Sequence, residues 1–287
     1  MLAAGDVRVN GRPAAKGALL RAGDEVAVHA WPEEPRLVQV SAPLPIVRVD
    51  ADLVAVDKPP GMHSTGGPSA GPSVAAILLA RFPEMAAIDP WRAAGLVHRL
   101  DTGTSGLLLA ARHPAAYRRL RREFTRKAVE KDYLAVVRGA ITRPGWVARS
   151  LRRAPRSRRR VIPARPGAAS GWPARTEFVP LGSAAGLSLV RLRMRTGVTH
   201  QLRVHMATLG HPILGDTRYG RLVTTAALAP DVERDANGGE GHYLHAVALR
   251  FDSAGFPRGL RTPFPVHWRP LFERLGWPAR MPPLGAP

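Results

Sequence analysis

The 287-residue sequence predicts one large domain with a mixed sheet and flanking helices, preceded by a small β-rich module. Two observations support this. Strand-like and helix-like segments alternate from Ile46 onward, and apolar residues make up 45% of the chain, enough for a large core. Residues 1 to about 30 contain short strands and turns, and a proline-rich stretch typical of a linker follows. We therefore divide the chain into residues 1–40 and 41–287.

The first element is a predicted hairpin. Val7–Val9 is followed by the turn Asn10-Gly11, and Asn-Gly between alternating residues is a strong hairpin pattern. The segments GDVRVNGR and LRAGDEVAV, at residues 5–12 and 20–28, resemble the second half of an RNA-binding module of the ribosomal-protein-S-four type. The helical first half of that module has no counterpart in this sequence, so we expect either an incomplete module or a true start that lies upstream.

The larger domain begins with alternating strands and helices. Its predicted elements are strands at 46–49 and 53–56, a turn at 58–61, a helix at 74–82, strands at 96–97 and 106–111, and a strand at 189–195. Another helix opens at Pro114, a residue favoured in the first helical turn. Tyr117, Leu120 and Phe124 share one face of that helix, which predicts that this face is buried.

Arginines are concentrated in two segments. The polar face of the second helix carries several, and seven lie between residues 149 and 160, where few apolar residues accompany them. We expect an exposed, mobile loop at 149–160. Such a surface is suited to contact phosphates without reading sequence, although a merely solvated basic face is the alternative. The arginines we assign to the RNA backbone are Arg118, Arg122, Arg152, Arg153, Arg158 and Arg159.

Composition limits the possible partners. Lys and Arg number 42 against 22 Asp and Glu, a net charge of +20. Such an excess favours nucleic acid as partner, although a genome rich in G and C also raises the arginine count. The absence of cysteine excludes disulfides, thiolate metal sites and cysteine nucleophiles. No apolar run approaches the roughly 20 residues needed to span a bilayer, and the start has no signal-peptide pattern. We expect a soluble cytoplasmic protein.

A short polar loop joins two apolar runs within residues 95–110. An acid in a tight loop between buried strands is rigidly held, as a catalytic carboxylate must be. The alternative is an aspartate that caps a turn beside ordinary turn residues. The residues alone leave both interpretations open. The polar residues of the loop are His98, Arg99, Asp101, Thr102, Thr104 and Ser105.

Three segments resemble motifs of the RluA class of pseudouridine synthases. HRLDTGTSG, at 98–106, is similar to the catalytic motif of that class, in which the aspartate is essential. EKDYLAVVRG, at 130–139, resembles its K-x-Y-x-A-x-x-x-G strand. TGVTHQLRVH, at 196–205, resembles its T-G-R-T-H-Q-I-R-V-H block.

Further matches follow in the order of that class. GHPILGD at 210–216 and YG at 219–220 complete the last block, and Lys58-Pro59 and LHA at 244–246 also fit. The resemblance covers about residues 46–275. It implies an α+β fold with a mixed, largely antiparallel central sheet, flanking helices and a central RNA-binding cleft.

The resemblance implies roles for individual residues. Asp101 is the expected catalytic carboxylate, Tyr133 the active-site tyrosine and Arg203 the partner of Asp101. Asp101 would act on a uridine flipped out of the RNA. The residues expected to bind the substrate are Lys58, His98, Arg99, Thr104, Thr199, His200 and Gln201.

Two expectations concern the block at 196–205. The class usually has an arginine where this chain has Val198, so one substrate or structural contact is in question. Thr199 can cap a helix running to about Leu209, with Leu202 and Met206 on a buried face. Arg203 then lies at the edge of that face, from where its side chain can reach a cleft.

The implied reaction converts uridine to pseudouridine, which requires an ionised carboxylate near C1′. The opposite charge of Arg203 keeps Asp101 ionised, and Tyr133 offers a ring for stacking and a hydroxyl for proton transfer. Arg99 could fill the space left by the base or contact a phosphate, and the sequence favours neither. No dinucleotide or phosphate-loop motif is present, so we expect no cofactor.

The sequence leaves two other functions open. The first is a non-catalytic RNA-binding or assembly protein on the same fold. The second is a metal-dependent nuclease, for which His200, His205, His211 and Asp216 would be the ligands. Their spacing matches no known metal motif, so we expect packed or hydrogen-bonded histidines and no metal. The expected partner is rRNA or tRNA, and we expect a monomer.

Overall fold

The computed structural model describes residues 7–15, 18–28, 40–66, 72–89, 93–155, 157, 160–165, 171–220, 241–253, 255–256 and 259–282. The chain divides into two compact units, Met1–Arg36 and Leu37–Pro287. The described residues of the first unit form three antiparallel strands, β1 (Val7–Val9), β2 (Arg12–Pro13) and β3 (Val26–Val28), with β1 in the centre.

The predicted turn joins β1 to β2. Asn10 and Gly11 have φ of 50° and 75°, as a two-residue hairpin turn with both φ values positive requires. The side chain of Asn10 also accepts a hydrogen bond from the Glu25 N–H at 2.9 Å, which ties the turn to the residue before β3. The hairpin is therefore confirmed. The likeness of this unit to an RNA-binding module stays a prediction.

The second unit contains eleven strands and four α-helices among the described residues. The strands are β4 (Ile46–Val49), β5 (Leu53–Lys58), β6 (Ser105–Ala111), β7 (Val129–Arg138), β8 (Gly145–Ala148), β9 (Leu151–Arg153), β10 (Val161–Pro163), β11 (Arg175–Ala184), β12 (Leu187–Met194), β13 (Leu244–Phe251) and β14 (Gly259–Arg261). The helices are α1 (Val74–Arg81), α2 (Pro114–Thr125), α3 (Gln201–Thr208) and α4 (Arg269–Arg274), and 3₁₀ turns occur at Pro83–Ala87 and Val266–Trp268.

Nine of these strands form one sheet in the order β4-β5-β6-β13-β7-β12-β11-β8, with β14 paired to β13. Neighbouring strands are antiparallel except for β6 and β13, which run parallel. The expected mixed, largely antiparallel sheet is confirmed. β9 and β10 form a separate antiparallel hairpin.

Both faces of the sheet are covered. Along β7, Tyr133 and Ala135 face a core that includes Leu78 of α1 and Leu120 of α2. Leu134, between them, faces a second core that includes Trp268 and Phe272. This alternation follows from the two-residue period of a strand. The central strands are therefore fixed from both sides and can position side chains at their ends.

None of the helices in the described part of the chain is long and apolar enough to cross a membrane.

The segment at 149–160 differs from the expectation of a mobile loop. Its start forms β9, which pairs with β10, and Leu151 is fully buried. Leu151 and Val161 pack with Val204 and Ala207 of α3. One buried apolar side chain on each short strand anchors the hairpin. The many arginines around these two residues hide this pattern in the sequence.

Candidate active site

Asp101 lies in a turn just before β6. The Thr104 N–H donates to the Asp101 carbonyl at 3.0 Å, which closes the turn. The Ser64 hydroxyl both donates to the Leu100 carbonyl and accepts from the Leu100 N–H. The Lys58 ammonium, at the end of β5, donates to the Thr102 carbonyl at 3.0 Å. The carboxylate therefore stands on a loop whose backbone is fixed on both sides, as the sequence predicts.

The expected substrate-binding role of Lys58 stays a prediction, and the structure shows the Lys58 side chain bonded to the protein itself. Its ammonium donates to the carbonyls of Pro59 and Met62, both at 2.8 Å, and of Thr102. These are its three possible hydrogen bonds, and the side chain is fully buried. Burial lowers the pKa of Lys58 to about 7, although Asp101 opposes this effect. The Lys58 side chain points into the protein, where it holds the Asp101 loop in place.

Arg203 links two carboxylates. Its Nη1 donates to Asp101 Oδ2 at 2.9 Å. Its Nε and Nη2 donate to the two oxygens of Asp216 at 2.7 and 2.8 Å, in a bidentate pair. Burial works against the charge of Arg203, but the two carboxylates outweigh it and raise its pKa above the ordinary value. Arg203 therefore stays cationic beside Asp101.

His200 approaches Asp101 from the start of α3. Its Nε2 lies 3.8 Å from Asp101 Oδ2, and its Nδ1 lies 2.7 Å from the Tyr219 hydroxyl. That hydroxyl accepts from the Val161 N–H, so it is free to donate its own proton to Nδ1. The neutral imidazole then carries its proton on Nε2, toward Asp101. Burial lowers the pKa of His200, which favours this neutral form.

The geometry of His200 corrects the predicted start of α3. His200 is the N-cap residue, in the left-handed region with φ of 56°, and makes no capping hydrogen bond. Thr199 is exposed and does not cap the helix. Instead, the Gln201 side chain accepts hydrogen bonds from the Thr196 hydroxyl and the Val198 N–H. The helix is buried nearly all round, rather than on one face alone.

Tyr133 extends from β7 toward Asp101. Its side chain is only 5% exposed, and it lines the same cavity as Asp101 and Arg203. Burial, together with the negative charge of Asp101, raises the pKa of Tyr133 above its ordinary value. Its hydroxyl is therefore protonated at neutral pH and can donate a hydrogen bond.

Two adjoining cavities of about 1120 and 650 Å³ form a cleft around Asp101. Together they exceed the roughly 300–1,000 Å³ typical of small-molecule sites, which suits a larger substrate. The residues lining both cavities include Arg99, Asp101, Val198, Thr199, His200 and Arg203. The arginine that Val198 replaces would therefore stand at the cleft.

Three predicted substrate-binding residues are bound to other parts of the protein. His98 Nε2 accepts from the Leu109 N–H, and its ring stacks on Phe124 at 4.9 Å. The Thr104 hydroxyl lies 2.8 Å from His242 Nε2. The Gln201 amide donates to the Arg175 carbonyl. All three line the smaller cavity, but these polar atoms have protein partners, which indicates a positioning role.

The predicted phosphate-binding arginines lie on two elements. Arg118 and Arg122 are exposed on α2, and Arg153 is exposed on β9, where it lines the larger cavity. Arg152, next to it, is partly buried. Arg158 and Arg159 lie outside the described residues.

The histidines of the alternative metal site are dispersed. His205 Nδ1 lies 2.9 Å from the Thr176 hydroxyl, and its Nε2 3.0 Å from the Arg149 carbonyl. His211 Nδ1 lies 2.9 Å from the Arg138 carbonyl. Within the described ranges, no group of three or more His, Asp or Glu side chains is arranged to hold a metal ion.

Comparison with known proteins identifies the family. The sequence model described as RNA pseudouridylate synthase matches residues 52–208, more than half of the chain. The chain belongs to this family. It is therefore an RNA pseudouridine synthase, an isomerase that acts on RNA, and the predicted RluA-class resemblance is confirmed.

Individual relatives agree. The chain is 35% identical over 253 residues to the ribosomal large subunit pseudouridine synthase D of Vibrio parahaemolyticus, covering 86% of this chain and 75% of the relative. An uncharacterized RNA pseudouridine synthase of Bacillus subtilis is 33% identical, with 94% and 86% covered. The structure resembles human RNA pseudouridylate synthase domain containing 1, with a TM-score of 0.60, 29% identity and coverage of 77% and 83%.

Three side chains at the site had no catalytic or substrate-binding role assigned from the sequence. Asp216 is the bidentate partner of Arg203, and His242 contacts Thr104. Lys131 lines the smaller cavity and donates to the Arg195 carbonyl at 2.9 Å. Lys131 and Tyr133 are two residues apart, which places both on one face of β7. That spacing, together with the K-x-Y pattern of the strand motif, could have identified Lys131 in advance.

Proposed function

We propose that this synthase isomerises uridine in large-subunit ribosomal RNA, with Asp101 as the catalytic residue. The observation that carries this proposal is the Asp101 carboxylate, held by Arg203 within a cleft larger than a nucleoside needs. The RNA class follows the printed name of the Vibrio relative. The same name applies to a Vibrio vulnificus protein that is 34% identical over 94% of this chain.

The reaction explains why these residues suffice. Isomerisation breaks the N1–C1′ bond of uridine and forms a C5–C1′ bond, while C5 loses a proton and N1 gains one. No atom is added and nothing is oxidised overall, so the reaction calls for no metal and no nucleotide cofactor. It does need an ionised carboxylate near C1′. Arg203 holds the Asp101 carboxylate in place and sets a positive charge beside it through a 2.9 Å hydrogen bond.

Tyr133 and His200 complete the proposed pocket. The Tyr133 ring gives the uracil a surface to stack on, which retains the base after its bond to ribose is broken. Its protonated hydroxyl acts as a donor rather than a base. His200 directs Nε2 toward the same carboxylate. Both groups hold Asp101 and the base in place while the base turns.

Arg99 is placed to act when the target base enters the cleft. A base within structured RNA must leave its stack before any enzyme can act on it. Arg99 is exposed, lines both parts of the cleft and lies two residues before Asp101. Its guanidinium is thus placed either to occupy the space left by the base or to contact a neighbouring phosphate.

Asp101→Asn tests the catalytic assignment. The variant should lose tritium release from large-subunit rRNA labelled at uridine C5, with at least about 100-fold lower turnover, while RNA affinity and thermal stability change little. Asp252→Asn is the matched control, because Asp252 pairs with Arg195 at the surface and lines neither part of the cleft. Turnover of Asp101→Asn within tenfold of the unmodified enzyme would refute the role of Asp101.

The substrate class has its own test. Tritium release should occur with large-subunit rRNA and be absent with tRNA of equal uridine content. Release from tRNA alone would overturn the proposed RNA class and leave the role of Asp101 intact. Pseudouridine mapping of rRNA from a deletion strain would then identify the modified position.

A further inference from the structure

An exposed tryptophan borders the larger cavity. Trp172 is 44% exposed and lines this cavity together with Asp101 and Arg203. Large apolar side chains are exposed elsewhere on the described residues, but among them Trp172 alone lines the cavity. Exposing so large an apolar ring is unfavourable in water. A ring in such a position is available to a ligand of the cleft.

The backbone of Trp172 is rigidly held. Its N–H donates to the Leu151 carbonyl at 2.7 Å, and its carbonyl accepts from the Leu151 N–H at 3.0 Å. Leu151 is fully buried and packs with Val204 of α3. Because the backbone is already ordered, a ligand that contacts the ring loses less free energy to ordering the protein.

An exposed arginine shares this side of the hairpin. Trp172 and Leu151 are direct cross-strand partners, as are Val161 and Arg153, and direct partners point to the same face. Leu151 and Arg153 lie two residues apart on β9, which also places them on one face. Trp172 and Arg153 accordingly both line the larger cavity. No hydrogen bond or ion pair joins Arg153 to another described residue.

We propose that Trp172 is a stacking platform for an unpaired RNA base next to the flipped uridine, with Arg153 contacting the phosphate of that neighbour. The proposal rests on the RNA pseudouridine synthase function and adds a subsite to it. Flat aromatic rings beside basic groups are the usual means of binding unpaired nucleotides. The cavity of about 1120 Å³ has room for more than the target nucleotide. The enzyme would then recognise a unit of two nucleotides, one reacting and one stacked.

The test compares RNA with and without bases. The probes are fluorescein-labelled 12-mers, one of oligouridylate and one an abasic ribose-phosphate chain, with affinity measured by fluorescence anisotropy. Trp172→Ala should weaken oligouridylate binding by about 5-fold or more and leave abasic binding unchanged. Trp172→Phe should keep most of the affinity, because a flat ring remains. Arg153→Ala should weaken binding of both probes by a similar factor, since it removes a phosphate contact.

Two further variants serve as controls. Trp146→Ala removes a tryptophan that is 60% exposed on β8 but lines neither cavity, and it should not affect either probe. Trp172→Leu keeps apolar bulk without a flat ring, so it should bind as Trp172→Ala does even if the alanine variant is unstable. Thermal melts confirm that each variant is folded.

Other outcomes would overturn the proposal. Equal weakening of both probes by Trp172→Ala would show that the ring supports the fold rather than a base. Full affinity in Trp172→Leu would show that stacking is not involved. In tritium release from rRNA, Trp172→Ala should raise KM and leave kcat within about threefold, whereas Asp101→Asn should remove kcat. If Asp101→Asn keeps its kcat while Trp172→Ala binds oligouridylate more weakly, the catalytic assignment is refuted and the proposed subsite is retained.

Discussion

Arg203 places one positive charge between two carboxylates, and this arrangement determines what its replacement does. Arg203→Met would leave Asp216 buried without its partner, since the Asp216 side chain is fully buried. Breaking one partner from a buried pair destabilises a protein by roughly 3–5 kcal/mol. We also expect turnover to fall at least about 100-fold. Urea denaturation and tritium release measure the two effects separately.

A second variant separates the catalytic effect from the structural one. Arg203→Met combined with Asp216→Asn removes the uncompensated buried charge, so it should recover much of the stability and none of the turnover. Val198→Arg, which restores the family's arginine, should change turnover by less than about tenfold. If the double variant regains activity, or if Arg203→Met is silent while Val198→Arg activates, Arg203 is not the partner on which Asp101 depends.

At the scale of single residues, the sequence predicts which residues belong to the site better than it predicts where their side chains point. The contact between Asp101 and Arg203 follows from motifs that bring the two residues together, and it is observed. Lys58 belongs to the same set, but its ammonium donates to three carbonyls, two in the turn that follows β5 and one in the Asp101 loop. His200 adopts a left-handed backbone that non-glycine residues seldom take. The local sequence pattern indicates neither the orientation of the Lys58 side chain nor the left-handed backbone of His200.

Among the elements, the contact of β6 with β13 leaves no space for a side chain at Gly106. Its φ is 109°, and an added Cβ would lie 2.2 Å from the Ala246 carbonyl oxygen and 2.6 Å from the Ala246 nitrogen. Both atoms belong to the backbone of a central strand, so neither can move cheaply. Gly106→Ala should therefore destabilise the fold by at least about 2 kcal/mol, measured by urea denaturation.

Gly220→Ala is the control for that prediction. A Cβ at Gly220 would meet nothing within 4 Å, so the free energy of unfolding should change by less than about 0.5 kcal/mol. Equal stability of the two alanine variants would mean that β6 and β13 are not in backbone contact at Gly106.

How well an element could be predicted depended on how its apolar residues are spaced. α2 combines a proline in its first turn with a buried stripe on an otherwise polar helix, and it begins at Pro114 as expected. The burial of α3 on most sides removes the polar face that would define its orientation. The β9–β10 hairpin has one fully or nearly buried apolar residue at each anchoring position, Leu151 and Val161. Two such residues are too few for a periodic pattern.

For the molecule as a whole, three histidines with lowered pKa values predict acid sensitivity. Burial lowers the pKa of His98 and of His245 to about 3, and that of His242 to about 4. Lys131 and Arg121 add to the effect at His98, His267 adds to it at His245, and Arg203 adds to it at His242. In the unfolded chain these groups bind protons near pH 6.5, so between pH 6.5 and about 4 the unfolded state holds more protons.

Stability should therefore fall as the pH drops through that window, and the loss is complete once the folded pKa values are passed. Each histidine contributes up to about 1.4 kcal/mol per pH unit. The free energy of unfolding from urea titrations at pH 7, 6 and 5 measures the slope. His98→Gln removes one titrating group, so it should reduce the slope of the unfolding free energy against pH by the contribution of about one proton. A stability independent of pH between 7 and 5 would contradict the prediction.

Activity should survive chelation. The proposed chemistry moves protons and one glycosidic bond, with Asp101 and Arg203 supplying the charges. Tritium release should be unchanged after dialysis against EDTA, provided that a monovalent salt keeps the RNA folded. Loss of activity that one specific divalent ion restores, with RNA structure verified by probing, would revive the metal-dependent alternative.

The position of β13 also bears on how the enzyme is made. β13 lies between β6, which follows the Asp101 loop, and β7, which carries Tyr133. A nascent chain has produced both of these strands well before β13 leaves the ribosome, and at about 5–20 residues per second the delay is roughly 5–25 s. During that interval the strand that spaces Asp101 from Tyr133 is missing. Catalytic competence therefore arises late in translation, when one distant strand inserts between two that are already made.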